Sequence, residues 1–160
     1  MQEVTDILVE YIKENQNKLY RIAFSYTKEE ESALDIVQES IEKALKNIHQ
    51  LKTTEYVKTW FYRILINESL QYVKKNKKLI MYSIDDLEKD IYWEEDIQKD
   101  DIDIYKCVQK LNDKLKTVII LRFFEDMKIE EIAKVTNTNV NTVKSRLYKA
   151  LEELKKAVEK

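Results

Sequence analysis

Residues 127–154 read MKIEEIAKVTNTNVNTVKSRLYKALEEL, and their pattern of apolar and polar residues predicts two helices joined by a tight turn. Apolar residues of the first helix recur at spacings i, i+3 and i+4: Ile129, Ile132 and Ala133. Those of the second helix form a longer stripe: Val140, Val143, Leu147, Ala150, Leu151 and Leu154. Between them, residues 136–139 leave room for a short turn, where asparagine suits a left-handed backbone and Asn139 is a candidate N-cap.

Polar and cationic side chains follow the other side of the second helix. They are Asn141, Thr142, Lys144, Ser145, Arg146 and Lys149. A helix with hydroxyls and cations on its outer face, placed after a tight turn, is the helix-turn-helix arrangement that enters the major groove of DNA. A helical hairpin whose charged face meets only water has the same pattern. We expect DNA binding.

The chain has no glycine and no proline among its 160 residues. Phosphate-binding loops of the Walker and dinucleotide types need glycine where the backbone approaches the phosphates, so the sequence excludes both. It also excludes the G-x-S-x-G nucleophile elbow. Long helices joined by Asn, Asp, Ser and Thr turns remain, and the predicted fold class is all-α. Because no acid–base pair or metal cluster stands out, we expect no catalytic residue, cofactor, metal or small-molecule substrate.

Cysteine and histidine are scarce. The single cysteine, Cys107, cannot form an internal disulfide, which fits a reducing cytoplasm. The single histidine, His49, has no cysteine or histidine near it in sequence with which to bind a metal. Nothing resembles a signal peptide, and no apolar run approaches the ~20 residues that cross a membrane. We therefore expect a cytoplasmic protein without direct membrane insertion.

The net charge of −2 conceals a segregation of charge along the chain. Residues 79–105 carry ten acidic residues and two lysines, a net charge of −8, whereas residues 106–160 have a net charge of +5. This change predicts two small helical domains, residues 1–80 and 106–160, joined by an acidic linker at residues 81–105. Because the chain is acidic overall, we expect it to need a partner in order to hold DNA.

The first domain is expected to contain three or four helices. The first of these begins near Ile7, and Ser32 is a plausible cap for the next. That next helix should bury Leu34, Val37, Ile41, Ala44, Leu45 and Ile48. Its far side carries a polar and acidic stripe: Asp35, Gln38, Glu39 and Glu42. A long helix from about residue 55 to 78 should bury Val57, Trp60, Phe61, Ile64 and Leu65.

Over nearly its whole length the chain resembles bacterial sigma factors of the extracytoplasmic-function type. Four motifs carry the resemblance, in the family's order and at compatible spacings. They are ALDIVQE at 33–39, KTWFYRI at 58–64 followed by Asn67, LRFFED at 121–126 with EIA at 131–133, and TVKSRL at 142–147. The family commonly has Leu-Pro where this chain has Leu111 and Asn112, and Asn112 can still cap a helix.

The resemblance implies a subunit that binds core RNA polymerase and directs it to promoter DNA. It assigns core polymerase binding to Asp35, Gln38, Glu39 and Glu42. It assigns the −10 element to Lys52, Thr54, Lys58, Trp60, Tyr62, Arg63, Asn67 and Lys74. Of these, Tyr62 and Arg63 are expected to be exposed, and Trp60 to be buried at least in part. The −35 element is assigned to Asn141, Thr142, Lys144, Ser145, Arg146 and Lys149.

The resemblance also implies control by an anti-sigma factor, itself membrane-bound, in an envelope-stress response. Such a factor would hold this protein at the membrane. Two other hypotheses stay open at this point. One is a helix-turn-helix regulator that binds an operator unaided, which a gel shift with the purified protein would reveal. The other is a helical adaptor without any role in nucleic-acid binding.

Overall fold

The structure is a computed structural model that describes residues 2–76 and 99–158. Over those ranges the chain consists of helices and turns, with no β-strand, as the all-α prediction requires. It divides into two compact units, Met1–Lys77 and Lys78–Lys160. Most of the predicted acidic linker, 81–105, lies outside the described residues, and its last seven positions belong to the first described helix of the second unit.

Four α-helices form the first unit: α1 (Gln2–Glu14), α2 (Gln16–Thr27), α3 (Glu30–Lys46) and α4 (Val57–Lys75). The apolar face that begins near Ile7 is divided between two helices, because the chain breaks at Asn15. The side-chain amide of Asn15 donates to the carbonyl of Tyr11 at 2.8 Å. Two short 3₁₀ turns, Ile48–Gln50 and Thr54–Tyr56, connect α3 to α4.

The turn between α2 and α3 places Lys28 in the left-handed region, at φ 59°. Thr27 stabilises this turn, since its hydroxyl donates to the carbonyl of Glu29 at 2.8 Å. The N-cap of α3 is Glu29, so the prediction that Ser32 caps this helix is wrong. Ser32 instead accepts a hydrogen bond from the hydroxyl of Tyr72, at 3.0 Å, which joins α3 to α4.

The core of the first unit lies where α2, α3 and α4 pack together, with α1 against α4. Its largest buried side chains include Leu8, Leu19, Phe24, Tyr26, Phe61, Tyr62 and Leu65. The buried face of α3 consists mostly of small residues, Ala33, Ser40 and Ala44, with Ile36. The prediction that Leu34 and Leu45 are buried is wrong, because close helix packing against small residues makes the buried stripe narrower than the apolar stripe.

Four α-helices also form the described part of the second unit: α5 (Lys99–Gln109), α6 (Asp113–Ile119), α7 (Ile129–Thr136) and α8 (Val140–Val158). A π-helical turn, Ile120–Phe124, continues α6. As predicted, Asn112 caps α6, since its side-chain oxygen accepts from the amide of Leu115 at 3.0 Å. Helices α5, α6 and α7 all pack against α8.

The predicted helix-turn-helix is present as α7, a three-residue turn and α8. Asn137 has the expected left-handed backbone, at φ 55°. Asn139 is the N-cap of α8, because its side-chain oxygen accepts from the amide of Thr142 at 2.8 Å. Asparagine thus supplies both the left-handed residue and the cap in a chain without glycine.

One side of α8 packs against the other helices, and its buried residues are Val143, Leu147 and Ala150. Leu151, predicted as part of the apolar stripe of this helix, is exposed, and that prediction is wrong; Phe124 is exposed as well. Leu151 points about 100° around the helix from Ala150, so its side chain lies beyond the edge of the buried stripe. Phe124 ends the π turn, where the extra residue per turn shifts the helical face.

Candidate polymerase-type and nucleic-acid interfaces

The outer face of α3 presents the predicted acidic stripe to solvent. Asp35, Gln38, Glu39 and Glu42 are all exposed. The side-chain amide of Gln38 donates to Glu42 at 3.3 Å, so these two side chains orient each other one turn apart. Because Ala33, Ile36, Ser40 and Ala44 fill the opposite face, the acidic side chains can meet a partner without disturbing the core.

Two leucines extend this face beyond what the sequence pattern predicted. Leu34 is 52% exposed and Leu45 is 41% exposed. On a helix of 3.6 residues per turn, both fall on the side that Gln38 occupies. The surface, which we call the α3 face (Leu34, Asp35, Gln38, Glu39, Glu42 and Leu45), is therefore both acidic and apolar. Their helical spacing places both leucines beside the acidic stripe, although their apolar character predicts a position in the core.

Three of the residues predicted to contact the −10 element line one groove between α3 and α4, of about 410 Å³. They are Trp60, Arg63 and Asn67. We call this the α3–α4 groove; its other lining residues are Lys43, Asn47, Gln50, Ile64, Glu68 and Gln71. Trp60 is half-buried, in agreement with the prediction, and Arg63 and Asn67 are exposed.

The chemistry of the α3–α4 groove suits a nucleobase. Carboxamides can donate to and accept from the edge of a base, and Asn47, Gln50 and Gln71 supply them beside Asn67. The indole of Trp60 offers a surface on which a base can stack. The sequence pattern did not reveal Asn47, Gln50 or Gln71, because they lie at the end of α3, in the turn after it and on α4, which only the fold brings together.

Tyr62 does not face solvent, so the prediction that it is exposed and contacts DNA is corrected. Its side chain is fully buried. Its hydroxyl accepts a hydrogen bond from the hydroxyl of Tyr11 at 2.7 Å, and the two rings meet edge to face. Tyr62 therefore joins α1 to α4. Neighbouring residues point about 100° apart around a helix, so Tyr62 can face the core while Arg63, the next residue, is exposed.

The other residues assigned to the −10 element lie outside the lining of the groove. Lys52 and Thr54 are exposed in the segment that connects α3 to α4. The Lys58 ammonium lies 6.0 Å from the centre of the Tyr62 ring, four residues further along α4. Lys74 is exposed in the last turn of α4, seven residues beyond Asn67.

In the second unit, the outer face of α8 is polar and cationic. Asn141, Lys144, Ser145 and Lys149 are exposed, whereas Thr142 and Arg146 are half-buried. Ser145, Arg146 and Lys149 also line a groove of about 510 Å³, together with residues 112–115 at the start of α6. A partly buried guanidinium that still reaches a groove is well placed for a bidentate contact with a base or a phosphate.

Tyr148 adds an aromatic ring to this surface that the sequence prediction missed. It is 76% exposed. It follows Lys144 by four residues and Ser145 by three, so it shares their face of α8. The helical spacing could have identified it, but an aromatic residue in a helix is more often part of the core.

Neither of two further kinds of feature occurs within residues 2–76 and 99–158. There, no group of three or more His, Cys, Asp or Glu side chains is arranged to hold a metal ion. No helix within the same ranges is both long enough and apolar enough to span a bilayer.

Two family models match the chain. Residues 11–79 match Sigma-70 region 2, and residues 101–154 match Sigma-70, region 4. The chain is 44% identical over 151 residues to RNA polymerase sigma factor SigV of Bacillus subtilis (strain 168), covering 94% of this chain and 90% of that protein. It is 27% identical over 168 residues to ECF RNA polymerase sigma factor SigW of the same organism, covering 94% and 88%.

Solved structures share the fold. The sigma factor RpoE in complex with the anti-sigma factor NepR, from Bartonella quintana, matches with a TM-score of 0.68 at 22% identity, over 99% of this chain and 95% of that chain. CnrH in complex with the cytosolic domain of CnrY matches with a TM-score of 0.69 at 17% identity, over 95% and 87%. At these identities the likeness concerns the arrangement of helices.

Proposed function

This chain belongs to the extracytoplasmic-function group of the sigma-70 family, and we propose that three of its surfaces carry out separate steps of a sigma factor's function. It binds core RNA polymerase and directs promoter recognition and transcription initiation. The α3 face docks on the polymerase, the α3–α4 groove takes the separated −10 strand, and the outer face of α8 reads the −35 element. The observation that carries this proposal is the exposure of all three surfaces on helices whose opposite sides form the cores.

The α3 face suits a basic partner with an apolar patch of its own. Its carboxylates, Asp35, Glu39 and Glu42, supply charge complementarity, which sets orientation and the rate of encounter. Leu34 and Leu45 supply apolar area, which contributes affinity when the surface is covered. An acidic and apolar face that stays exposed in the folded chain is typical of a surface that a partner covers.

The α3–α4 groove suits a base drawn out of a melted strand. Enzymes and binding proteins that recognise an extruded base combine stacking with hydrogen bonds to its edge, and cations hold the backbone nearby. Trp60 supplies the stacking surface, and the groove carboxamides supply the hydrogen bonds. Arg63 is the cation in reach of the strand. Lys52, Thr54, Lys58 and Lys74 lie outside the groove and are assigned to backbone contacts on either side of it.

The outer face of α8 suits the major groove. Arg146, Lys149 and Ser145 line one depression with the start of α6, which places cations and a hydroxyl where a DNA strand can lie. Asn141, Thr142 and Lys144 occupy the first turns of α8, the part of a recognition helix that meets base edges. Tyr148 adds a contact for a thymine methyl or a sugar.

We assign residues 1–80 to polymerase and −10 binding, residues 106–160 with the preceding turns of α5 to −35 binding, and the part of 81–105 before α5 to an acidic linker. The protein acts as a non-catalytic subunit, since initiation needs it to position the polymerase and not to perform chemistry. It works in the cytoplasm. An anti-sigma factor, itself membrane-bound, holds it inactive until an envelope stress releases it.

Reconstituted transcription tests this function. Core polymerase with this chain is supplied with a genomic fragment library, and start sites are mapped; we expect initiation at sites with a shared −10 and −35 sequence. The variant Lys144→Glu/Arg146→Glu should lose most of this initiation, because both changes repel DNA phosphates. Lys155→Glu/Lys156→Glu, at two exposed residues in the last turn of the same helix, makes the same change in net charge and is the matched control. Initiation that survives the first variant would exclude α8 as the reading helix.

A separate experiment tests the control by an anti-sigma factor. A partner that co-purifies with this chain should prevent its binding to core polymerase, because it covers the α3 face or the face of α8. A stable complex that contains the partner, this chain and core polymerase together would refute this occlusion.

A further inference from the structure

An ion pair crosses from α3 to α4 at the edge of the α3–α4 groove. The ammonium of Lys43 bonds the carboxylate of Glu68. The side chain of Glu68 is 9% exposed, whereas that of Lys43 is 53% exposed. A carboxylate so far from water needs a cation beside it, because the cost of desolvating a charge is large. The pair is therefore asymmetric: Glu68 depends on Lys43 to offset its charge, whereas about half of the Lys43 side chain is exposed to solvent.

Glu68 also lines two neighbouring depressions. One is the α3–α4 groove, which Lys43 and Glu68 both line. The other, of about 230 Å³, is lined by Glu68 together with Asp35 and Glu39 of the α3 face. Gln71 borders both depressions as well. The ion pair thus lies where the proposed DNA groove meets the proposed polymerase surface.

The charges that line the α3–α4 groove nearly cancel. Its described lining residues include two cations, Lys43 and Arg63, and one carboxylate, Glu68. The remaining residues are carboxamides, Trp60 and Ile64. Because Glu68 offsets Lys43, the net charge is that of one arginine. Excess cations bind the phosphates of any strand, so they add affinity without selecting a sequence. Carboxamides and an indole contact the bases themselves, so their contribution depends on which base is present.

We propose that Glu68 is a specificity-determining residue for the promoter strand, acting as a positioning residue through Lys43. By holding the Lys43 ammonium against α4, Glu68 keeps a cation from binding phosphates in the groove. The groove then discriminates between strands by stacking and by hydrogen bonds to base edges. This inference rests on the proposed function of the groove, and its test separates the two.

The test measures the binding of single-stranded DNA by holoenzyme reconstituted from core polymerase and the full chain. The probes are four dodecamers, (dA)₁₂, (dC)₁₂, (dT)₁₂ and a mixed-sequence strand, over a range of salt concentrations. Glu68→Gln adds one net positive charge to the groove while keeping the shape of the side chain. For a single strand, the logarithm of the binding constant falls linearly with the logarithm of the salt concentration, and each added cation that binds a phosphate steepens this slope by ~0.7. We therefore expect affinity to rise by about fivefold at 0.1 M salt for every probe, and the preference among probes to fall.

Lys43→Gln should leave the slope that of the wild type, because Glu68 already keeps this cation from the phosphates, and Lys43→Gln/Glu68→Gln should lose the steeper slope expected of Glu68→Gln. The exchange Lys43→Glu/Glu68→Lys restores both the pair and the net charge, so its slope and its preference should return to those of the wild type. This double variant keeps the test informative should either single variant fail to fold. A merely structural pair would change the midpoint of thermal unfolding without moving the slope.

Glu14→Gln is the matched control, since this exposed residue of α1 lines neither depression and its change gives the chain the same net charge. Equal slopes for Glu68→Gln and Glu14→Gln would overturn the inference. Trp60→Ala and Arg63→Gln report on the groove itself. If neither weakens strand binding, the proposed function of the groove fails; if they do and Glu68→Gln behaves as its control, only the role of Glu68 fails.

Discussion

At the scale of single residues, Asn139 shows how this chain builds a recognition helix without glycine. Its side-chain oxygen accepts from the amide of Thr142, and its backbone carbonyl accepts from Val143. The first amides of a helix have no partner within the helix, so a cap of this kind stabilises the whole element. The cap also fixes where α8 begins, and with it the direction in which the −35 residues point.

Asn139→Ala should therefore lower the free energy of unfolding of the second unit by about 1 kcal/mol. Urea denaturation followed by circular dichroism measures this. Asn139→Asp keeps an accepting oxygen and should retain most of the stability. Asn141→Ala, an exposed position two residues further on, is the control and should change stability little. Equal losses for the Asn139→Ala and Asn141→Ala variants would mean that the cap does not stabilise α8.

Tyr62 is the second residue whose role the structure defines. Tyr62→Phe keeps the buried ring and removes the hydroxyl that accepts from Tyr11. The expected loss is about 1 kcal/mol of unfolding free energy, the usual contribution of one such hydrogen bond. Tyr11→Phe should cost a similar amount, and the double variant less than the sum, since both changes remove one interaction. Additive losses in thermal or urea denaturation would contradict a direct coupling of α1 to α4.

At the scale of elements, one side of α3 packs in the core and contributes to stability, whereas its opposite side, the α3 face, is proposed to bind the polymerase. Ile36→Ala should lower the free energy of unfolding by about 3 kcal/mol, because the side chain is buried in the core. Leu34→Ala should change it by less than about 0.5 kcal/mol, because this side chain is half in water. Affinity for core polymerase should respond to Leu34→Ala, which removes apolar area from the α3 face.

Calorimetry measures the change in unfolding free energy, and a binding titration with core polymerase measures the change in affinity. Leu45→Ala should behave as Leu34→Ala does, since it lies on the same face. The proposed role of the α3 face would be untenable if Leu34→Ala and Leu45→Ala left polymerase affinity unchanged in proteins that fold normally.

At the scale of the whole molecule, the second unit has a helix that begins before residue 106. Helix α5 starts at Lys99 and packs against α8, and Tyr105 is buried. A fragment of residues 106–160 would lack the first part of this helix. We expect a fragment of residues 99–160 to unfold at least about 5 °C higher than one of 106–160, because lost packing lowers the stability of a small unit. Thermal denaturation by circular dichroism compares them, and equal midpoints would support the boundary at 106.

Much of the fold follows from local sequence patterns. The absence of glycine and proline, the helical spacing of apolar residues and the asparagines at the turns predict an all-α chain with a helix-turn-helix, and the structure confirms these features. The exposure of the acidic stripe of α3 and of Lys144 and Lys149 on α8 follows from the same periodicity. Such features depend on residues within a few turns of one another, which a sequence displays directly.

Sequence by itself thus determined that the fold is helical, where the helix-turn-helix lies and which family the motifs indicate. Only the tertiary structure decided that Tyr62 points inward, that Leu34 and Leu45 point outward, and that Lys43 meets Glu68. The reason is geometric. A helical stripe defines a face to within about a third of a turn, and the partner helix decides which edge of that face is covered. Contacts between residues as far apart as Tyr11 and Tyr62 depend on packing that no local pattern records.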